Sequence, residues 1–208
     1  MELIKKYFPE LDPVKTKRLE QLKPLYEDWN SKINVISRKD MDNFYTNHVL
    51  HSLSIARIIK FRPGTQIMDV GTGGGFPGIP LAIIFPECNF TLVDSIEKKI
   101  KVVSEVTMAL NLTNVTPLRE RAEKVPGKFD FIVSRAVSAL PAFMAWVANK
   151  IKSGGNNNLP NGVLYLKGGE FHEELKSINF KHKIYDIPDF FSEEFFETKK
   201  LVHIFPKK

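Results

Sequence analysis

The stretch Asp69-Val-Gly-Thr-Gly-Gly-Gly-Phe-Pro-Gly78 is the feature that most constrains this chain. The apolar pair Ile67-Met68 precedes it and an apolar run from Ile79 to Phe85 follows, so it reads as a strand, a glycine loop and a helix start. Glycine reaches φ > 0 cheaply and lets backbone N–H groups come close to a ligand. The next candidate strand, Asn89-Phe-Thr-Leu-Val-Asp94, ends in a carboxylate twenty-three positions after Gly71. An acid so placed can accept both hydroxyls of a ribose. Taken alone the loop can be a plain tight turn. Loop and acid together imply a nucleoside-bearing cofactor at the edge of a parallel sheet.

The glycine spacing narrows the cofactor. A dinucleotide fingerprint is G-x-G-x-x-G, whose later glycines make room for a pyrophosphate and for helix packing. Gly71 and Gly73 match it, but Phe76 stands at the third glycine. Pro77 and Pro80 then open the helix, and each lacks an amide N–H that could bind phosphate. A dehydrogenase is thereby disfavoured. S-adenosylmethionine fits better: its ribose suits Asp94, its amino-acid tail the loop backbone at Gly71 and Gly73, and Phe76 gives an aromatic neighbour.

At 208 residues the chain suits one domain with an appendage. Its lone cysteine, Cys88, leaves no disulfide framework and fits a reducing, cytoplasmic setting. No run of about 18 apolar residues is present, which argues against a membrane span; no signal peptide is expected. The net charge is +6. Lys98, Lys99, Lys101, Arg119, Arg121, Lys124 and Lys128 outnumber Glu105, Glu120 and Glu123 between residues 98 and 128. Such a surplus is compatible with a polyanionic substrate, and equally with a solvated surface.

Residues 1–62 read as a helical extension and residues 63–208 as an α/β domain. Leu19, Leu22, Leu25, Tyr26, Trp29 and Ile33 form one apolar stripe, with a kink or break expected at Pro24. A second helix is predicted from about Asp42 to Lys60, with Val49, Leu50, Leu53, Ile55, Ile58 and Ile59 inward. Arg62-Pro63-Gly64 is a stop signal. Strands are then predicted at 66–70, 90–94, 115–118, 129–134 and 163–167, alternating with helices at about 77–85, 96–110 and 140–151. Strands at 181–187 and 201–205, without a clear helix between them, suggest a hairpin-like antiparallel edge. The segment Gly154-Gly155-Asn156-Asn157-Asn158 reads as a mobile loop without function.

These residues resemble the GidB/RsmG family. The resemblance is carried by Trp29-Asn30 with Asn34, by His48 to Leu53, and by the loop from Asp69 to Pro80. It continues through Val93-Asp-Ser95, Leu112 to Val115, Arg121-Ala-Glu123, Phe129-Asp130, Ser134-Arg-Ala136 and Lys167-Gly168. The Gly-Phe-Pro-Gly-Ile-Pro continuation and the Ser-Arg-Ala element are specific to the family. The resemblance implies a Rossmann-like methyltransferase sheet, mostly parallel with an antiparallel edge strand. It implies an enzyme that transfers a methyl group from S-adenosylmethionine to N7 of a guanine in 16S ribosomal RNA. Its partner would be that RNA or the small ribosomal subunit, with no metal, and the protein is expected to be a monomer.

Carried across by position, the family's cofactor site falls on Gly71, Phe76, Ala122, Glu123 and Arg135. Gly71 would lie against the methionine part, Phe76 beside the sulfur, and Ala122-Glu123 at the adenine edge. The bland readings stand beside these: Phe76 as core filler, Glu123 as a solvated acid. Arg135 directly follows the apolar run Phe131-Ile-Val133 and must find a partner. His48 and His51 read as structural rather than as metal ligands. Asn47 and His51 depart from the family's usual arginine and aspartate, and a contact to RNA or within a helix would be altered there.

The missing residues narrow the chemistry. Cytosine C5 methylation needs a cysteine nucleophile, and Cys88 lies in the loop before the second strand, far from the fourth. Exocyclic-amine methylation usually carries an Asn/Asp-Pro-Pro-Tyr/Phe element where this chain has Ser134-Arg135-Ala136. N7 of guanine already bears a lone pair, so no catalytic acid or base is named. Arg121, Arg135 and Lys167 lie at predicted strand ends, where they can orient phosphate or guanine O6; Arg121 and Lys167 are the RNA-binding candidates. Two rivals persist: a methyltransferase of small molecules or proteins, active without RNA, and an RNA-binding module without transfer activity.

Overall fold

The computed structural model describes residues 1–135 and 137–207, with the side chain of Arg38 set aside. The helices are α1 (Glu2–Tyr7), α2 (Pro13–Lys32), α3 (Arg38–Asp42), α4 (His51–Leu53), α5 (Ile55–Ile58), α6 (Gly78–Ile84), α7 (Glu97–Ala109), α8 (Leu140–Val147) and α9 (His172–Lys176). The strands are β1 (Gln66–Val70), β2 (Asn89–Asp94), β3 (Val115–Arg119), β4 (Phe131–Arg135), β5 (Gly162–Gly168), β6 (Lys181–Asp186) and β7 (Lys199–Phe205). They form one sheet of order β3-β2-β1-β4-β5-β7-β6. β1 to β5 run parallel, and β7 is antiparallel to both neighbours, pairing Leu201 with Leu166 and with Tyr185. The antiparallel strand therefore lies one place in from the edge, and β6 closes the sheet.

Alternate residues feed two cores. Ile67, Phe131, Val133 and Leu164 face the N-terminal helices, α6 and α7, whereas Met68, Ile132, Val163 and Tyr165 face α8 and α9. Both faces are covered, so the strands read as continuous apolar runs rather than alternating ones. Pro117 is tolerated in β3 because that strand pairs only with β2. β4 begins at Phe131 rather than Phe129. Phe129 makes only an isolated bridge to Ile151, and at Asp130 the carboxylate turns back to accept the Gln66 N–H at 2.8 Å.

The N-terminal region departs most from expectation. α2 passes through Pro24 without a break. Pro24 is exposed, and the carbonyl its ring strips of a helical donor, that of Glu20, accepts the Tyr45 hydroxyl at 3.1 Å. The single helix expected over 42–60 is instead α3, a π-helical stretch at Tyr45–Leu50, then α4 and α5, ending at Ile58. π-winding shifts the face presented to the core by one residue. Every residue from His48 to Ile55 is buried. Leu22, Tyr26 and Leu53 share one apolar cluster with Ile79 and Ile83, so packing is continuous across residue 62. The Asn-rich loop is tied down: Asn157 accepts from the Arg62 N–H at 2.9 Å and donates to Thr65 Oγ1 at 3.1 Å. Among the described residues no helix is long and apolar enough to cross a membrane.

Candidate active site

Strand order reverses between β1 and β4, and open α/β sheets bind ligands beyond the C-terminal ends of the strands at such a point. A cleft of about 650 Å³ opens there, at the ends of β1 to β4. Its floor is the glycine loop. Asp69, fully buried, fixes the loop at both ends by accepting from Thr72 Oγ1 at 2.7 Å and from the Gly78 N–H at 2.8 Å. Burial pushes the Asp69 carboxyl up to about 7, and those two hydrogen bonds oppose the shift. Gly71 and Gly73 have φ of +66° and +58°, the left-handed region that side chains rarely occupy. A Cβ on Gly71 would also collide with the Val137 side chain, whereas one on Gly73 would meet only the Gly71 carbonyl oxygen, at 4.0 Å.

Asp94 closes the next strand. Its Oδ1 accepts from the Ile96 N–H at 2.9 Å, its Oδ2 from the Gly73 N–H at 3.1 Å, and Lys99 Nζ lies 3.6 Å away. The carboxylate is thus locked against the loop that sequence spacing paired it with. Ala122 and Glu123 line the cleft from a 3₁₀ turn after β3, Ala122 buried and Glu123 exposed beside Arg121 at 3.9 Å. Arg121 lines the same cleft.

Phe76 is only 3% exposed. Its ring packs with Tyr26, Phe44 and His48 at centroid distances of 5.0, 5.8 and 5.1 Å, and it still reaches the cleft wall. Core filler and cleft lining are both served by one side chain. Arg135 leaves the end of β4 and lies 5.4 Å over that ring. Its Nη1 donates to the Asn47 carbonyl at 3.0 Å and its Nη2 to His48 Nδ1 at 2.9 Å. Those are the partners its position demanded. Burial lowers Arg135 to about 10, with Asp69 and Asp40 opposing, so the guanidinium stays charged at neutral pH. Ala136 lies outside the described residues.

Lys167 is elsewhere. It lines a second concavity beyond β5 and pairs with Glu174 at 2.8 Å, so it and Arg121 lie on opposite sides of Arg135. His48 and His51 are buried among aromatic rings. The Asn47 side chain donates to Asp40 Oδ1 at 3.0 Å. Cys88 is buried just ahead of β2, at the end of the strand away from the cleft.

Sequence reasoning missed Val35, Ile96, Val137 and Trp146, all of which line the cleft. Ile96 and Val137 are 48% and 38% exposed, unusual for large apolar side chains, and both exposures open into this cleft. An apolar surface next to a fixed carboxylate suits an adenine face or a thioether. Val35 reaches the cleft because Asn30 Oδ1 accepts from the Val35 and Ile36 N–H groups at 2.8 and 2.9 Å. Tyr26 adds a hydroxyl bond to the Gly74 carbonyl. The sequence signal was Trp29-Asn30 with Asn34, of which Asn30 builds this turn.

Comparisons with known proteins agree with the geometry. Residues 15–201 match the GidB family, described as rRNA small subunit methyltransferase G. A ribosomal RNA small subunit methyltransferase G of Flavobacterium psychrophilum is 58% identical over 204 residues, 98% of this chain and 97% of the relative. The Bacteroides thetaiotaomicron protein of the same name is 55% identical over 205 residues, 98% of each chain. Fibrillarin of Aeropyrum pernix, solved with natively bound S-adenosyl-L-methionine, superposes with a TM-score of 0.57 at 12% identity, over 74% of this chain and 73% of that one. An S-adenosylmethionine-dependent O-methyltransferase of Thermotoga maritima gives 0.60 at 14% identity, over 81% and 71%. At such identities the two structures speak for the fold alone.

Proposed function

The chain belongs to the GidB family of small-subunit rRNA methyltransferases, and we propose that its cleft binds S-adenosylmethionine and serves methyl transfer to N7 of a guanine in 16S ribosomal RNA. One observation carries the cofactor assignment: Asp94, clamped by the Gly73 and Ile96 N–H groups, faces a cleft walled by exposed apolar Ile96 and Val137. Asp94 keeps lone pairs for the ribose hydroxyls, and Ile96 with the Ala122-Glu123 turn forms the adenine wall. The backbone at Gly71 and Gly73 receives the amino-acid tail, with Phe76 and Arg135 beyond it.

When bound, the cofactor supplies an electrophilic methyl group on a sulfonium. The protein's part is to exclude water and to aim the acceptor, with reacting atoms held about 3–3.5 Å apart. An acceptor guanine would be held with its N7 lone pair free and directed at that methyl group. No proton moves, so transfer to N7 asks for no general base. Asp69 is bound into the loop, and Asp94 faces the ribose position.

Residues 1–62 are proposed as an extension that helps recognise RNA structure, on a methyltransferase domain of residues 63–208. Exposed Arg121 and half-buried Lys167 would meet phosphates. Phosphate contacts fix register and weaken with salt. Action as a monomer in the cytoplasm belongs to the same reading, since one chain completes the cleft and the substrate is ribosomal.

Calorimetric titration tests the cofactor assignment. S-adenosylmethionine should bind once per chain, NAD not at all, and Asp94→Ala should weaken binding roughly 10- to 100-fold, as loss of a charge-assisted hydrogen bond does. Tight NAD binding, or an unaffected Asp94→Ala, would overturn it.

A further inference from the structure

A second concavity, of about 290 Å³, opens on the other side of Arg135, at the C-terminal ends of β4 and β5 and the start of β7. Asp40, Asn47, His48, His51, Lys167 and Lys199 line it, and Arg135 lines both concavities. Ligand pockets begin at about 300 Å³, so this one suits a single base rather than a base pair.

Its polar groups are set by one hydrogen bond. A guanidinium only donates, so Arg135 Nη2, 2.9 Å from His48 Nδ1, makes that nitrogen the acceptor. Burial holds the His48 ring neutral, pushing it down to about 3, and the Arg135 charge acts the same way. A neutral ring accepting at Nδ1 carries its proton on Nε2. Among the described residues neither that Nε2 nor His51 Nε2 has a hydrogen-bond partner, and both atoms are covered, so a base must displace part of the wall to reach them. Native structures seldom leave a buried donor unsatisfied without a reason, and polar contacts at binding sites often tighten only in the loaded complex.

We propose that this concavity receives the acceptor guanine, extruded from its RNA, and that His48 donates through Nε2–H to the guanine O6. The proposal rests on the guanine-N7 reading above. Enzymes that act on a base take it out of its stack. O6 and N7 share one edge of guanine, so a single donor on O6 places N7 beside it and leaves the N7 lone pair free. A bidentate arginine clasp would occupy N7, which transfer must leave free, and two of the five Arg135 N–H donors are held by the Asn47 carbonyl and by His48. Arg135 is then the positioning residue and His48 the one that reads the base. Lys199, 5.0 Å over the Phe195 ring, and Lys167 supply cationic flanks for the phosphates of the extruded nucleotide.

The test is a cycle in kcat/KM between protein and base. Wild type, His48→Phe and His48→Gln are assayed on small-subunit RNA carrying either guanine or 2-aminopurine, which lacks O6, at the methylated position. Wild type should prefer guanine by about tenfold or more, the worth of one hydrogen bond. His48→Phe should lose about that factor on guanine and little on 2-aminopurine. His48→Gln, which keeps an acceptor for Arg135 and a donor for O6, should recover most of it. Equal losses by His48→Phe on both RNAs would overturn the proposal. Should His48→Phe not fold, equal wild-type rates on the two RNAs would overturn it alone. Transfer by wild type to neither RNA, with S-adenosylmethionine still bound, would refute the guanine-N7 reading and this assignment with it.

Discussion

Arg135 joins three parts of the molecule: the end of β4, the Phe76 ring in the glycine loop and the π-helical stretch through Asn47 and His48. Arg135→Ala is expected to cut methyl transfer about 100-fold, since misplacement by an ångström at a reacting centre has that effect. The fold should persist, less stable by about 1–3 kcal/mol because the Asn47 carbonyl and His48 Nδ1 lose their donor. Arg135→Lys should not restore the rate, because an ammonium lacks the planar fork that serves both acceptors. Single-turnover rates and a denaturant melt check both statements; an undiminished rate in Arg135→Ala would remove it from the site. Gly71, Gly73 and Asp94 were legible in the sequence because each needs a particular residue type at a particular spacing. Val35, Ile96, Val137 and Trp146 were not. An apolar residue carries no mark of whether it faces core or cleft until the chain's path is known.

At the level of elements, the turn after α2 is part of the wall of the cleft proposed for the cofactor, because Val35 lines it. Asn30 makes three bonds across the turn after α2, accepting from the Val35 and Ile36 N–H groups and donating to the Ile36 carbonyl at 2.7 Å. Asn30→Ala should lower stability by roughly 2 kcal/mol, at about 1 kcal/mol per net bond with some recovered by water. It should also weaken S-adenosylmethionine several-fold in a calorimetric titration, because Val35 leaves the cleft wall. Unchanged affinity would show that the turn merely caps α2. The sheet could be read from strand–helix alternation, and the closing pair from the want of a helix between 181–187 and 201–205. The helical region resisted for two physical reasons. A proline reads as a kink or a break, and here α2 runs on past Pro24 while Tyr45 donates to the carbonyl the proline leaves without a donor. A π-stretch has no periodicity to detect, because burial from His48 to Ile55 is unbroken.

The whole molecule carries its titratable groups in opposed sets. Burial pushes His48 down to about 3, His203 to about 4 and His51 well below the usual range. The unfolded chain protonates these rings near 6.5 and the folded chain does not, so their effect is a loss of stability as pH falls below 6.5. Asp69 runs the other way: held protonated up to about 7 when folded, it makes stability fall as pH rises from about 4 to 7. Three rings against one carboxyl leave a net rise in stability between pH 4 and 6.5, roughly 1–3 kcal/mol per pH unit at about 1.4 per proton. Denaturant midpoints across that range check it. His203→Gln, whose amide can still donate to the Pro160 carbonyl that His203 Nε2 now serves at 2.9 Å, should flatten the slope by about one proton. A wild-type midpoint that falls between pH 4 and 6.5 would contradict the neutral state assigned to the buried rings. The decisive measurement of function is transfer of labelled methyl from S-adenosylmethionine to small-subunit RNA from cells lacking this protein, with digestion to identify the labelled nucleoside. Label recovered as 7-methylguanosine at one site is the predicted result. Label in another nucleoside, or none in RNA while the cofactor is demonstrably bound, would contradict the account.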